Sequence, residues 1–135
     1  MSRVKIKNEL INSMGTIVMA TQLIAGLSLL VFVHELGHFM AAKAFGMRVN
    51  KFYIFFDAWG KKIWSKQIGD TEYGIGWLPL GGYVQIAGMI DETQDAKDLS
   101  EEPEEWEFRA KPAWQRFIVM IGGIVMNIIT GILIF

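Results

Sequence analysis

The 135 residues carry 13 Lys and Arg against 14 Asp and Glu, a formal charge of −1, so the basic face that nucleic-acid binding needs is missing. There is no cysteine, which excludes disulfide scaffolds, thiolate metal sites and thiol catalysis. Hydrophobic residues make up 52% of the chain and the mean hydropathy is +0.30, an excess concentrated in two long runs, one near each end.

The first run, residues 14–33, holds no charged residue. At 1.5 Å per residue, its roughly 20 residues cross a hydrocarbon core of about 30 Å. Gly15, Thr16, Thr21, Gly26 and Ser28 interrupt it. Small residues of this kind let helices approach closely in lipid. Arg3, Lys5 and Lys7 precede the run as they would in a secretory leader. The run is longer than the roughly 7–15-residue apolar core of a leader, and no clear cleavage site follows it. The sequence therefore predicts a membrane-spanning helix over about residues 14–45, ended by Gly46.

His34-Glu35-Leu36-Gly37-His38 closes this run and contains both histidines of the chain. On a helix, His34 and His38 are i and i+4, share a face and can bind one ion. Glu35 lies about 100° round from His34, within reach of a water on that ion. Zinc lowers the pKa of such a water to about 7. The carboxylate can then take the proton and pass it to a leaving amine. Hydrolytic zinc sites use three protein ligands and one open position. Asp57, Asp70, Glu72, Asp91 and Glu92 are conceivable thirds, but none has a spacing that recommends it, and the third ligand is expected beyond Phe135. The bland alternative is a polar helix end at the membrane surface with both histidines snorkelling.

Apolar positions then alternate at Val49, Phe52, Ile54 and Phe56. They predict a short strand, followed by a turn at Trp59-Gly60-Lys61-Lys62. Ile63, Glu72-Tyr73 and Gly76-Trp77 suggest more short strands, with a turn at Gly69-Asp70. Residues 74–90 read GIGWLPLGGYVQIAGMI, too broken by glycine and Pro79 to span a membrane. Gly81-Gly82 reads as the tight turn of a hairpin. That hairpin either packs in a core or dips into the membrane beside the first helix; the residues alone slightly favour the core.

Every charged residue in 91–107 is acidic except Lys97, which predicts a solvated loop or short helix. Trp114, Gln115 and Arg116 suit a membrane interface. The second apolar run begins at Phe117, is uncharged to Phe135, and predicts a second spanning helix over about residues 113–135. The chain reads as the N-terminal part of a longer protein. Lys43, Arg48 and Lys51 on one side of the first span nearly balance Arg3, Lys5 and Lys7 on the other, so charge does not orient it.

Three segments in one order, FVHELGHFMAAKAFGMRVNKFYIFF, TEYGIGWLPLGGYVQIAGM and FRAKPAWQRFIVMIGGIVMN, resemble the site-2 protease family of intramembrane zinc metalloproteases. Together they cover most of residues 31–127. The resemblance implies a mainly α membrane protein: two transmembrane helices, short strands and a membrane-associated β-hairpin between them, forming an incomplete core of a multi-helix protease. It implies that His34 and His38 hold Zn2+ and that Glu35 is the general base. The hairpin, with Gly81, Gly82, Tyr83 and Val84, would hold an unwound substrate by strand addition, and Asn127 would lie near that substrate. Gly123-Ile124 stands where the family has Gly-Pro, which bears on Asn127. The family's third ligand is an aspartate in a Leu-Asp-Gly motif of a later helix, so residues 1–135 alone are expected to be inactive and to bind zinc weakly. The implied substrate is a single-span membrane protein, such as an anti-sigma factor or a remnant signal peptide. The implied location is a bacterial inner membrane, with the loop after His38 facing the cytoplasm. The alternative from another class is a non-catalytic membrane scaffold that keeps the fold.

Overall fold

The computed structural model describes residues 2–89 and 102–135. Ser2 opens the first helix, its Oγ accepting the Lys5 amide at 3.4 Å, as serine does at an N-cap. Helix α1 then runs over Arg3–Ala44, 42 residues, or about 63 Å. It starts some eleven residues earlier than the hydropathy suggests. Residues 3–13 contain no Gly or Pro and include good helix formers such as Arg, Lys, Glu and Leu. Phe45 caps the far end and Gly46 follows at φ 72°. Gly46 N–H donates to Lys43 O at 3.1 Å and Met47 N–H to Ala42 O at 2.9 Å, the paired bonds of a glycine-terminated helix.

The apolar span of α1 is exposed around its circumference. Its hydroxyls are bonded internally: Thr16, Thr21 and Ser28 donate to the carbonyls of Asn12, Ile17 and Ile24 at 2.6–3.0 Å. In apolar surroundings that spares each hydroxyl an unmet bond.

Among the described residues, four strands follow: β1 (Val49–Ile54), β2 (Lys62–Ile68), β3 (Thr71–Gly76) and β4 (Tyr83–Ile86). They form one sheet in the order β2-β3-β1-β4. β2 and β3 are the true hairpin, antiparallel around Gly69-Asp70. Among the described residues, the hairpin expected over 74–90 does not form. β3 pairs in parallel with β1, and β4 pairs antiparallel with the other side of β1. Gly81-Gly82 therefore belongs to a link between strands on opposite sides of β1, and β4 is an edge strand. Outside the strands, Phe56 and Leu78 exchange backbone bonds at 3.1 and 3.2 Å.

The two faces of the sheet differ. Toward the helices, Val49, Phe52, Val84 and Ile86 join Ala42, Met47 and Val119 in the buried core. Phe52 meets Phe32 and Phe39 edge-on at 6.0 and 5.2 Å. Such a burial contributes about 1.5–3 kcal/mol per side chain. The other face carries Tyr53 and Tyr83, stacked at 5.4 Å, beside charged groups. There Lys62 Nζ donates to Glu72 Oε1 at 2.8 Å, and this bond holds the Glu72 carboxyl below its usual range.

Part of the acidic loop lies outside the described residues. Within 102–112, Phe108 N–H donates to Ala87 O at 2.7 Å and Arg48 N–H to Trp106 O at 2.9 Å. These bonds dock the segment on the sheet and aim helix α2 (Ala113–Ile134) back along α1. Trp114 opens α2 against Phe45, ring to ring at 5.4 Å. Both α1 and α2 are long and apolar enough to cross a membrane.

The close approach of α1 and α2 is made by Gly37 and Gly122. A Cβ at Gly37 would run into the Gly122 carbonyl, with Gly122 C at 2.7 Å and Met126 Cγ at 2.8 Å. Gly15 and Gly26, the glycines that the apolar run suggests for such packing, have open space around them. Gly37→Ala is expected to force the helices apart at a cost of about 1–3 kcal/mol. Thermal unfolding of the purified protein checks this against Gly15→Ala, which has open space and is expected to stabilise the helix by about 1 kcal/mol. Equal melting of the two variants would refute it.

Candidate metal centre

The motif lies on the α1 face that meets α2. His34 and His38 sit one turn apart, with ring centroids 4.8 Å apart. Their Nε2 atoms are separated by 3.1 Å. Each Nδ1 is held from α2. His38 Nδ1 donates to the Val119 carbonyl oxygen at 2.7 Å, and His34 Nδ1 lies 3.2 Å from Asn127 Nδ2. Both rings therefore turn the same nitrogen toward a common point.

That arrangement fits a zinc ion. Two zinc–nitrogen bonds of about 2.0–2.1 Å at a tetrahedral angle put the nitrogens roughly 3.3 Å apart. Outer partners on the second ring nitrogen are the usual companions of metal-binding imidazoles.

Gly123 keeps the place clear. A Cβ there would lie 2.6 Å from Nε2 of both His34 and His38. It would also crowd the approach to Val119, because a helical carbonyl points toward the residue four places on. Sequence reasoning missed Gly37, Gly122 and Gly123. The Gly122-Gly123 pair was visible, but nothing in one sequence shows which glycine of an apolar run faces which neighbour.

Glu35 is on the same helix, half-buried. It lines a small cleft with Leu30, Val31, His34 and Asn127. The residues expected at this site thus fall into three sets. His34, Glu35, His38 and Asn127 are brought together. Tyr83 and Val84 are committed elsewhere: Val84 is in the core, and Tyr83 stacks on Tyr53 while its hydroxyl donates to Asp57 Oδ1 at 2.8 Å. Burial, and then that bond, push the Tyr83 phenol above its usual range. Gly81 and Gly82 sit between these groups. Gly81 lines an apolar crevice with Val31 and Leu80, and a Cβ at Gly82 would lie 3.2 Å from Val31 Cγ1. Val31 also lines the cleft of His34.

Among the described residues, no third His, Cys, Asp or Glu joins the two histidines. Asp57 lies 3.8 Å from Lys51 Nζ, Asp70 lies 3.7 Å from Arg48, and Glu72 is held by Lys62. Asp91 and Glu92 lie outside the described residues.

Comparison with known proteins adds the following. The profile of peptidase family M50 matches residues 22–135. A Clostridium perfringens protein with the provisional name zinc metalloprotease is 39% identical over 108 residues, 80% of this chain and 29% of its own. A Fusobacterium nucleatum protein of the same provisional name is 40% identical over 108 residues, 80% of this chain and 28% of its own. A zinc metalloprotease of Mycolicibacterium smegmatis is 33% identical over 108 residues, 77% of this chain and 25% of its own. The chain thus spans less than a third of each of these relatives.

Proposed function

Since this chain belongs to peptidase family M50, we propose that it supplies the metal-binding and substrate-presenting part of a zinc-dependent endopeptidase seated in a membrane. The observation that carries this reading is the convergence of His34 Nε2 and His38 Nε2 to 3.1 Å, each ring held from behind by α2.

His34 and His38 would hold the zinc ion, with a third ligand, an aspartate, contributed from beyond Phe135. Bound there, zinc polarises a substrate carbonyl and lowers the pKa of water to about 7. Glu35 takes the proton of the attacking water and delivers it to the leaving amine. α1 and α2 cross the bilayer, since apolar surface on this scale needs lipid or other helices around it. The histidines lie at the end of the uncharged run, near one membrane face, where water can enter.

The substrate is a single-span membrane protein, such as an anti-sigma factor or a remnant signal peptide, in a bacterial inner membrane. Its helix must unwind first, because helical carbonyls are hydrogen-bonded. Edge strand β4 offers the substitute: residues 83–86 can add a strand through their backbone. With the Tyr83 and Val84 side chains committed to the fold, recognition at β4 is by main chain, preceded by Gly81 and Gly82.

The test compares full-length wild type with a His34→Ala/His38→Ala variant, by elemental analysis and by cleavage of a model transmembrane substrate. Wild type is expected to hold about one zinc per chain and cleave, and the variant to do neither. A variant that keeps zinc and activity would end this reading.

A further inference from the structure

His34 and His38 lean on α2 through different groups. When a metal takes Nε2 of a neutral imidazole, the ring proton sits on Nδ1 and needs an acceptor. For His38 that acceptor is the Val119 carbonyl, which can only accept. For His34 the group in reach is the Asn127 amide, at 3.2 Å, which has a donor side and an acceptor side. A half-turn about χ2 exchanges the two in nearly the same shape. Asn127 Oδ1 is buried and, among the described residues, has no hydrogen-bond partner, so none of them holds the oxygen away from His34.

We propose that Asn127 is a positioning residue whose Oδ1 accepts the His34 Nδ1 proton, fixing the tautomer that points Nε2 at His38. This rests on the reading of His34 and His38 as zinc ligands. It differs from the role that family resemblance gives Asn127, since the amide acts through the imidazole and not on the peptide. The two helices then share the work: α1 supplies the ligating nitrogens, and α2 supplies one fixed acceptor and one side-chain acceptor that set their orientation.

The test measures zinc affinity by chelator competition on full-length protein in detergent, for wild type, Asn127→Leu and Asn127→Asp. Leucine matches the size and offers no acceptor, and aspartate keeps the acceptor. Asn127→Leu is expected to bind zinc about 10–100-fold more weakly, as loss of an outer partner does, and Asn127→Asp to restore the affinity. Labelled imidazole nitrogens should report a protonated Nδ1 on His34 in zinc-loaded wild type and Asn127→Asp. Wild-type affinity in Asn127→Leu overturns the proposal, and so does a loss in Asn127→Asp as large as in Asn127→Leu. In both of those cases wild type still holds its zinc. Wild type without zinc would instead remove the metal reading itself, and this proposal with it.

Discussion

Glu35→Gln in the full-length protein is expected to lower kcat for cleavage by about 10²–10⁴-fold, the usual contribution of a general base, while leaving the bound zinc in place. Glutamine keeps the size and polarity of glutamate but cannot take a proton at neutral pH. Among the described residues, the other side chains of the cleft, Leu30, Val31, His34 and Asn127, include no second carboxylate to replace it, and the aspartate proposed from beyond Phe135 would be committed to the metal. The nitrogens proposed to ligate belong to His34 and His38, so on that reading the metal should not notice the change. Elemental analysis beside a single-turnover cleavage assay separates the two effects. Normal cleavage by Glu35→Gln would remove Glu35 from the chemistry. Loss of zinc along with activity would show that Glu35 supports the metal and would leave its role as base without evidence.

The second large effect is expected at Gly123. In an ordinary helix, Gly→Ala stabilises by about 1 kcal/mol, and Gly131→Ala, with nothing within 4 Å, should behave that way. At Gly123 the added methyl would sit 2.6 Å from Nε2 of both histidines. Neither ring can retreat without giving up its hold on α2 at Val119 or Asn127. Both nitrogens that would face the metal are disturbed at once. Zinc affinity is therefore expected to fall by more than the roughly 100-fold ceiling for losing one outer partner, although helical content is kept. Chelator competition and circular dichroism on the two alanine variants check this. A Gly123→Ala protein that binds zinc like Gly131→Ala would show that the rings are not packed against α2 at this point.

Much of this was legible from local pattern. The i, i+4 spacing of His34 and His38, the two uncharged runs, and Gly46 as a helix end each depend on residues adjacent in the chain. Such signals survive without any knowledge of neighbours. What was not legible depends on pairing between distant segments. Gly81-Gly82 looks like a hairpin turn, yet β1, some thirty residues earlier, lies between the strands it links. Gly37, Gly122 and Gly123 matter because of the register between α1 and α2, and Gly15 and Gly26 have the same local signature without the contact. Tyr83 and Val84 look available in sequence, but the alternation of strand side chains sends one into the core and the other to Asp57. The early start of α1 was hidden by its charges, which weaken a hydropathy signal and leave helix propensity untouched.

The outer partners of the two histidines lie 81 and 93 residues downstream of them. A ribosome adding about 5–20 residues per second needs roughly 5–20 s to cover that interval. During it, α1 has been made and its histidines have no α2 to orient them. The strands and the docking segment around Phe108 are synthesised before the helix that holds the two imidazoles, so a half-made chain carries the motif without the contacts that orient it.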